Sequence, residues 1–207
     1  DHGYNLGEHG VWYKGNAIRI LKENPRQRWP NIPASRRPNL WDTSLQVPTA
    51  IKWPKVIKPG TKHSQTFSNL DWFPTLLSMA NLTLPNKAII RGNDYSPILR
   101  GESSQWDDDI YLEYSMHHGA KTHMRGIRTP KWKFMVDFAN PGRMELYDLN
   151  QDPSETKNLI QTANQEQDKL VRGFMNQITA EMQRINDPVL KELQQFEKHT
   201  GSKKERP

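Results

Sequence analysis

The chain has 207 residues, 29 Lys plus Arg against 23 Asp plus Glu for a net charge of +6, 34% apolar side chains, a mean hydropathy of −0.89 and no Cys. No run approaches the ~18 apolar residues of a membrane-spanning helix, and without Cys there is no disulfide scaffold, thiolate metal site or cysteine nucleophile in this stretch. Seven Trp, six Tyr and six Phe argue against full disorder, while the low apolar share and a start at Asp1 rather than Met lead us to expect part of a longer protein. The charge is uneven: residues 1–66 hold 11 basic and 4 acidic side chains, and residues 67–207 hold 18 and 19. Arg26-Gln27-Arg28 and Arg36-Arg37 are clusters rather than a continuous basic tract, which disfavours nucleic acid and leaves a small anionic substrate or a merely solvated basic loop.

Residues 1–15 carry Gly3, Gly7, Gly10 and Gly15, which predicts a loop with unusual backbone conformations. Pro25, Pro30, Pro33 and Pro38 predict an excursion with little regular structure. Val47 to Trp53 reads as a buried strand closed by Pro54. Ser68 or Asn69 caps a helix over about Leu70 to Ala80, with Pro74 near its first turn and Leu70, Phe73, Leu76, Leu77 and Ala80 as its apolar face. Four segments of strand composition follow: Ile110–Ser115, His123–Arg128, Trp132–Phe138 and Met144–Leu149. Short turns separate them, which predicts an antiparallel meander. Leu170, Val171, Phe174, Met175, Ile178, Met182 and Ile185 form a stripe on a helix from about Gln165 to Ile185, suited to cover one sheet face. Asp187 and Pro188 open a last short helix, and residues 201–207 read as a frayed tail. The domain division is 1–105 and 106–200.

Chemistry concentrates in Asp1-His2-Gly3-Tyr4-Asn5-Leu6-Gly7-Glu8-His9-Gly10-Val11-Trp12-Tyr13-Lys14. Asp1 and His2 are competent metal ligands, and adjacent side chains reach one ion only where the chain turns, which Gly3 permits. Two ligands are too few for a tight site, so the others come from elsewhere. Trp12 is expected to pack beneath the loop. His117, His118 and His123 look metal-like by count, but His117 and His118 are adjacent with no Asp or Cys partner at helical spacing and read as a loop between strands. Asn81-Leu82-Thr83 fits the glycosylation sequon.

The run Asp-His-Gly-Tyr-x-Leu-Gly-Glu-His-Gly-x-Trp-x-Lys resembles the sulfatase family of the alkaline phosphatase superfamily. Leu45–Pro54, Asn69–Leu77, Arg125–Phe134, Glu145–Leu149 and Asp152–Glu155 resemble further family segments in the same order. The resemblance implies an α/β fold: residues 1–105 as the last part of an alkaline-phosphatase-like mixed-sheet catalytic domain, then a small antiparallel sheet packed on a long helix. It implies sulfate-ester hydrolysis with one divalent cation, usually Ca²⁺, and a formylglycine nucleophile. Asp1 and His2 fall on metal-ligand positions and Lys14 on the lysine that contacts the sulfate. His9, Asn16 and Arg19 are candidates to line the substrate pocket. The substrate would be a sulfated small molecule or carbohydrate. Family members act outside the cytoplasm, so a periplasmic or secreted location is expected.

The family's nucleophile motif, Cys/Ser-x-Pro/Ala-x-Arg, does not occur in these residues. The nucleophile is therefore expected in an N-terminal part of the same protein, and this chain alone is expected to be inactive, with no catalytic residue of its own. Alternatives are a phosphonate monoester or phosphodiester hydrolase of the same superfamily, and a noncatalytic truncated module. The stretch between Lys14 and Trp41 is an apparent insertion of about two dozen residues relative to many sulfatases, and residues 20–38 are expected to shape the leaving-group side of the pocket.

Overall fold

A computed structural model describes residues 2–22 and 29–193. Asp1, part of the insertion (23–28), Phe196 and the tail 201–207 lie outside the described residues. The chain divides into two compact units, one of Val47–Ile110 and one of His2–Gln46 together with Tyr111 onward. Residues 2–46, grouped at the sequence level with 47–105, therefore cluster with the C-terminal sheet.

That sheet has four strands in sequential order: β3 (Ile110–Met116), β4 (Thr122–Arg128), β5 (Trp132–Asp137) and β6 (Met144–Asp148). β4 and β5 pair antiparallel with Ile127 opposite Phe134, and β5 and β6 with Phe134 opposite Leu146. Each strand lies within a residue or so of its predicted range. Alternation sorts the side chains. Ile127, Phe134, Val136 and Leu146 face Phe174, Ile178 and Met182 of helix α4 (Gln165–Arg184), and this cluster is the largest core of the molecule. Asn164 caps α4, its side chain accepting from Gln167 N while the Gln167 side chain accepts from Asn164 N. Asp187 caps the turn leading into a helix over 188–193 by accepting from Val189 N at 2.9 Å, as expected from Asp187-Pro188. Its carboxylate also takes a two-pronged bond from Arg125, at 2.6 and 3.0 Å, which ties that segment back to β4.

The opposite sheet face carries Met124, Met135 and Tyr147 and is covered by residues 2–46. Leu40 packs on Met124 and Met135, while Val11, Ala17 and Trp41 pack with Tyr147 and Leu149. Each large apolar side chain buried in this way contributes about 1.5–3 kcal/mol relative to exposure. The glycine-rich segment is thus seated on a rigid sheet.

In the other unit, Tyr95, Ile98 and Leu99 form the core with Ile51, Trp53, Ile57, Phe67, Met79 and Trp106 around them. Its helices are α2 (Trp72–Met79) and α3 (Ser96–Arg100). Ser68 and Asp71 make a capping box at the 3-10 turn that leads into α2, as the sequence predicts. Two expectations are corrected. Val47 to Trp53 is not a strand: no described residue supplies a ladder partner, although Ile51 and Trp53 are half-buried on either side of an exposed Lys52. The predicted apolar face of α2 is not buried either. Leu70, Phe73 and Leu76 are 47%, 49% and 51% exposed, while Asp71, Pro74 and Thr75 are buried.

Candidate functional site: the glycine-rich ribbon

Residues 2–17 form a tight ribbon. β1 (Asn5–Leu6) pairs antiparallel with β2 (Trp12–Tyr13), placing Asn5 opposite Tyr13 and Leu6 opposite Trp12. A 3-10 turn over Glu8–Gly10 joins them, and the Glu8 carboxylate accepts from Leu6 N at 2.5 Å. His9 sits in the left-handed region (φ 54), a conformation few side chains adopt.

The ribbon is fastened from beneath by neutral polar groups. The Asn5 side chain is fully buried; its amide donates to Tyr13 O at 2.9 Å and to Ser44 Oγ at 2.7 Å, while its oxygen accepts from Thr43 Oγ1 at 2.6 Å. Ser44 Oγ donates to Asn39 Oδ1 at 2.7 Å, and that oxygen also accepts from Trp41 N. Thr43 and Ser44 belong to helix α1 (Asp42–Leu45). Gly3 N donates to Ser44 O at 3.0 Å, and a Cβ on Gly3 would fall 2.9 Å from Gln46 O and nearer still to Thr43 O. Backbone cannot swing aside as a long side chain can. We therefore expect Gly3→Ala to cost the protein about 1–3 kcal/mol through overpacking, read as a lower urea midpoint. An unchanged midpoint would show the ribbon to be loosely held.

His2 is exposed, and its Nδ1 lies 2.7 Å from Gly3 O. A carbonyl only accepts, so Nδ1 carries the proton and the nitrogen able to bind a metal is Nε2. Among the described residues no group of three or more His, Asp or Glu side chains is arranged to hold a metal ion. One imidazole, with Asp1 outside the described residues, does not make a metal centre; Ca²⁺ takes about six to eight oxygen ligands. A cation here would need most of its ligands from elsewhere.

Lys14 ends the ribbon, exposed, its ammonium 5.9 Å from the Tyr13 ring centroid. A turn follows in which Ala17 N donates to Lys14 O at 2.8 Å. Asn16 lies within that turn, half-buried, with its side-chain oxygen buried and without a hydrogen-bond partner. Arg19 is exposed, and its carbonyl accepts from Trp12 N, which continues the ribbon. His9 turns inward. Its ring stacks on Trp41 at 3.9 Å and 14°, and Arg37 donates to its carbonyl at 2.6 Å. Burial first, then the Lys133 and Arg37 charges, hold its pKa below the ordinary histidine value, so His9 is neutral at pH 7. Trp12 is 38% exposed and edge-on to Tyr4 at 6.3 Å, which corrects the expectation that it packs beneath the loop. Asn5 occupies the inner face, so the Leu6–Trp12 pair must take the outer one.

Beneath Trp41 lies a buried charge cluster. Lys133, 2% exposed, places its ammonium 2.7 Å from Asp42 Oδ1 and 2.7 Å from Glu155 Oε1. Arg128 donates to Asp42 at 3.0–3.2 Å, and Glu155 accepts from Asp42 N at 2.5 Å. Burial would push the Asp42 carboxyl up, but Lys133 and Arg128 more than offset it and hold it below the usual range. At Glu155 burial prevails and the pKa is raised. Trp41 Nε1 points to Tyr147 OH at 3.4 Å, which donates to Glu145 at 2.9 Å. Sequence reasoning singled out none of Asn5, Asn39, Ser44, Asp42 or Lys133: Asn5, Ser44, Asp42 and Lys133 each depend on a partner more than 30 residues away, and Asn39 enters the set through its bond to Ser44.

The described end of the insertion is docked rather than loose. Asn31 O accepts from Lys121 N at 2.8 Å, Asn31 Nδ2 donates to Ala139 O at 2.7 Å, and Arg143 donates to Pro38 O. His117 and His118 are exposed at the turn after β3, while His123 is buried between Ser115 Oγ and Glu192 Oε2, each 3.1 Å away. His123 is therefore an interior histidine held by Ser115 on one side and facing the Glu192 carboxylate on the other, and burial lowers its pKa.

Residues 36–185 match the family described as N-sulphoglucosamine sulphohydrolase, C-terminal. The N-acetylglucosamine-6-O-sulfatase of Bacteroides thetaiotaomicron is 28% identical over 202 residues, covering 95% of this chain and 32% of that protein. Human steryl-sulfatase is 38% identical over 76 residues, 37% of this chain and 13% of that protein. Among solved structures, a protein in complex with its substrate D-glucosamine-2-N,6-O-disulfate is similar with a TM-score of 0.65 at 25% identity, over 90% of this chain and 34% of that one. The chain thus spans about a third or less of the length of these relatives. With most of its length matched in one block, the chain belongs to the N-sulphoglucosamine sulphohydrolase C-terminal family and carries a C-terminal portion of the alkaline-phosphatase-like sulfatase fold.

Proposed function

We propose that this chain is the C-terminal portion of a sulfuric ester hydrolase, and that the ribbon of residues 2–17 contributes the anion-gripping side of its active site. The alignment over 95% of the chain to a sulfatase carries this reading, together with a ribbon that ends on an exposed lysine. Sulfuryl transfer places negative charge on the sulfate oxygens, and a fixed ammonium stabilises that charge as it develops. Lys14 supplies that ammonium. The buried Asn5–Ser44–Asn39 relay holds the ribbon still, which lowers the reorganisation needed at the moment of reaction. Asn16 and Arg19 follow Lys14 closely and line the pocket rim. His9, neutral and stacked on Trp41, acts by orienting the loop.

Asp1 and His2 are proposed as two ligands of a divalent cation, Ca²⁺ by family resemblance. The remaining ligands and the formylglycine nucleophile would come from another part of the same polypeptide. When bound, such a cation adds charge stabilisation at the sulfate. A sulfated carbohydrate is the proposed substrate class, supported by the sugar sulfates named for two relatives. The docked residues 29–38 shape the leaving-group side of the pocket. A periplasmic or secreted location accords with this reading.

The test compares two preparations. The longer parent polypeptide should hydrolyse an aryl sulfate faster than an aryl phosphonate, and the 207-residue chain alone should turn over neither. Hydrolysis by the isolated chain that co-purifies through successive columns would overturn the division of labour. A parent faster on the phosphonate would reassign the reaction.

A further inference from the structure

Glu155 lies in the turn after β6 and is buried, yet it reaches across to the base of the ribbon. Asp152 builds that turn. Its carbonyl accepts from Glu155 N at 3.0 Å, and its carboxylate accepts from Lys157 N at 2.7 Å and Thr156 Oγ1 at 2.9 Å. Asp152 N donates back to the carbonyl of Asp148, which ends β6, at 2.7 Å. Glu155 itself holds a left-handed backbone (φ 52), a conformation that a long side chain keeps only where its surroundings impose it. The turn thus aims one carboxylate inward from a fixed strand end.

The two oxygens of that carboxylate have different partners. Oε1 lies 2.7 Å from Lys133 Nζ, whereas Oε2 accepts from Asp42 N at 2.5 Å. Asp42 opens α1, and Trp41 before it offers the helix no side-chain cap. The acceptor comes instead from 113 positions away. Thr43 and Ser44 follow Asp42 directly; they bond to Asn5, and Ser44 O accepts from Gly3 N. Asn5 in turn donates to the carbonyl of Tyr13, the residue before Lys14. An unbroken path of hydrogen bonds through α1 therefore joins Glu155 to the neighbour of Lys14.

Stability alone is a poor reason for this carboxylate. Burial outweighs Lys133 at Glu155 and raises its pKa, and Lys133 already has Asp42 as a counter-ion at 2.7 Å. Buried charges in such clusters are often replaceable by apolar groups at little loss. An apolar group, however, cannot accept from Asp42 N.

We infer that Glu155 is a positioning residue of the active site: by accepting from Asp42 N it sets where α1 stands, and so where the ribbon presents Lys14. The inference rests on the sulfatase reading given above, with Lys14 as the group that grips the sulfate. It assigns the placement of that group to a turn at the far end of the sheet strand β6.

The experiment is a double-mutant cycle in the longer parent polypeptide, with kcat and KM on an aryl sulfate measured well below each variant's thermal midpoint. Glu155→Ala should lower kcat/KM about 10–100-fold, the size of effect expected when a reacting group is misplaced by about 1 Å. Glu155→Gln keeps an oxygen for Asp42 N and should restore most of that rate. In a Lys14→Ala background, Glu155→Ala should cost little further rate, because the group it places is gone. An unchanged kcat/KM for folded Glu155→Ala would overturn the inference. A loss that adds in full to that of Lys14→Ala would overturn it too, since Glu155 would then act by another route. So would a Gln variant as slow as the Ala variant, since the acceptor would not be the part that matters. Should Glu155→Ala fail to fold, Glu155→Asp, whose carboxylate stops one methylene short of Asp42 N, takes its place in the cycle under the same criteria. A parent inactive on every sulfate ester would overturn the sulfatase reading and this inference with it. An active parent that fails the cycle would overturn this inference alone.

Discussion

Replacing Lys133 by Met should cost the protein about 3–5 kcal/mol, read from urea unfolding at pH 7. The ammonium is 2% exposed and lies 2.7 Å from both Asp42 and Glu155, so its loss leaves two buried carboxylates, of which Asp42 keeps the Arg128 guanidinium. The deficit should also depend on pH, with a sign set by Glu155. Burial already raises that carboxyl above its ordinary 4.5, and removing Lys133 raises it further. A group whose folded pKa lies above its unfolded one takes up a proton preferentially in the folded state. The variant should therefore recover stability as pH falls from 7 toward 5. In the unmodified protein Asp42, whose pKa is held low, works against the Glu155 trend; its contribution is present above about pH 4 and lost below. A loss under about 1 kcal/mol, or a gap between variant and parent that does not narrow with acid, would show that the cluster does not hold the segment.

Lys14→Ala in the parent polypeptide should lower kcat/KM on an aryl sulfate by about 10²–10³-fold, the size expected when one preorganised group leaves a developing oxyanion. Lys14 is exposed and touches Tyr13 only distantly, so stability should stay within about 0.5 kcal/mol. This separates it from Gly3→Ala, which should lower stability first and activity as a consequence. A Lys14→Ala enzyme with an unchanged rate would remove the ribbon from the active site while leaving family membership untouched.

Much of the C-terminal fold was legible in the linear chain. The four strands and α4 carry periods of two and 3.6, and their turns are marked by His118-Gly119, Thr129-Pro130 and Asn140-Pro141-Gly142. The caps at Ser68 and Asp187 were legible for the same reason, since each bonds to backbone two or three residues away. Val47 to Trp53 misled because its composition suits a strand but a strand exists only with a partner, and none of the described residues pairs with it. α2 misled differently. Its stripe is real, but periodicity says that a face is apolar and not which neighbour it meets.

The site divides along the same line. The residues proposed to carry chemistry, His2, His9, Lys14 and Arg19, stood out because unusual types were crowded near glycines and resembled a family pattern. The residues that hold them in place did not. An asparagine at position 5 reads as a loop residue until the ribbon register turns it inward onto Ser44. A lysine in a strand reads as solvent-facing until Asp42 and Glu155, 91 and 22 positions away, close over it. Local periodicity, capping and composition are short-range properties, so the sequence by itself determined the four C-terminal strands, α2, α4 and their order, and offered the residue types proposed for the chemistry. Burial of polar and charged groups is decided by partners distant in the chain, and only the tertiary structure settled which side of the ribbon faces inward, what stands beneath Trp41 and which face of α2 is left uncovered.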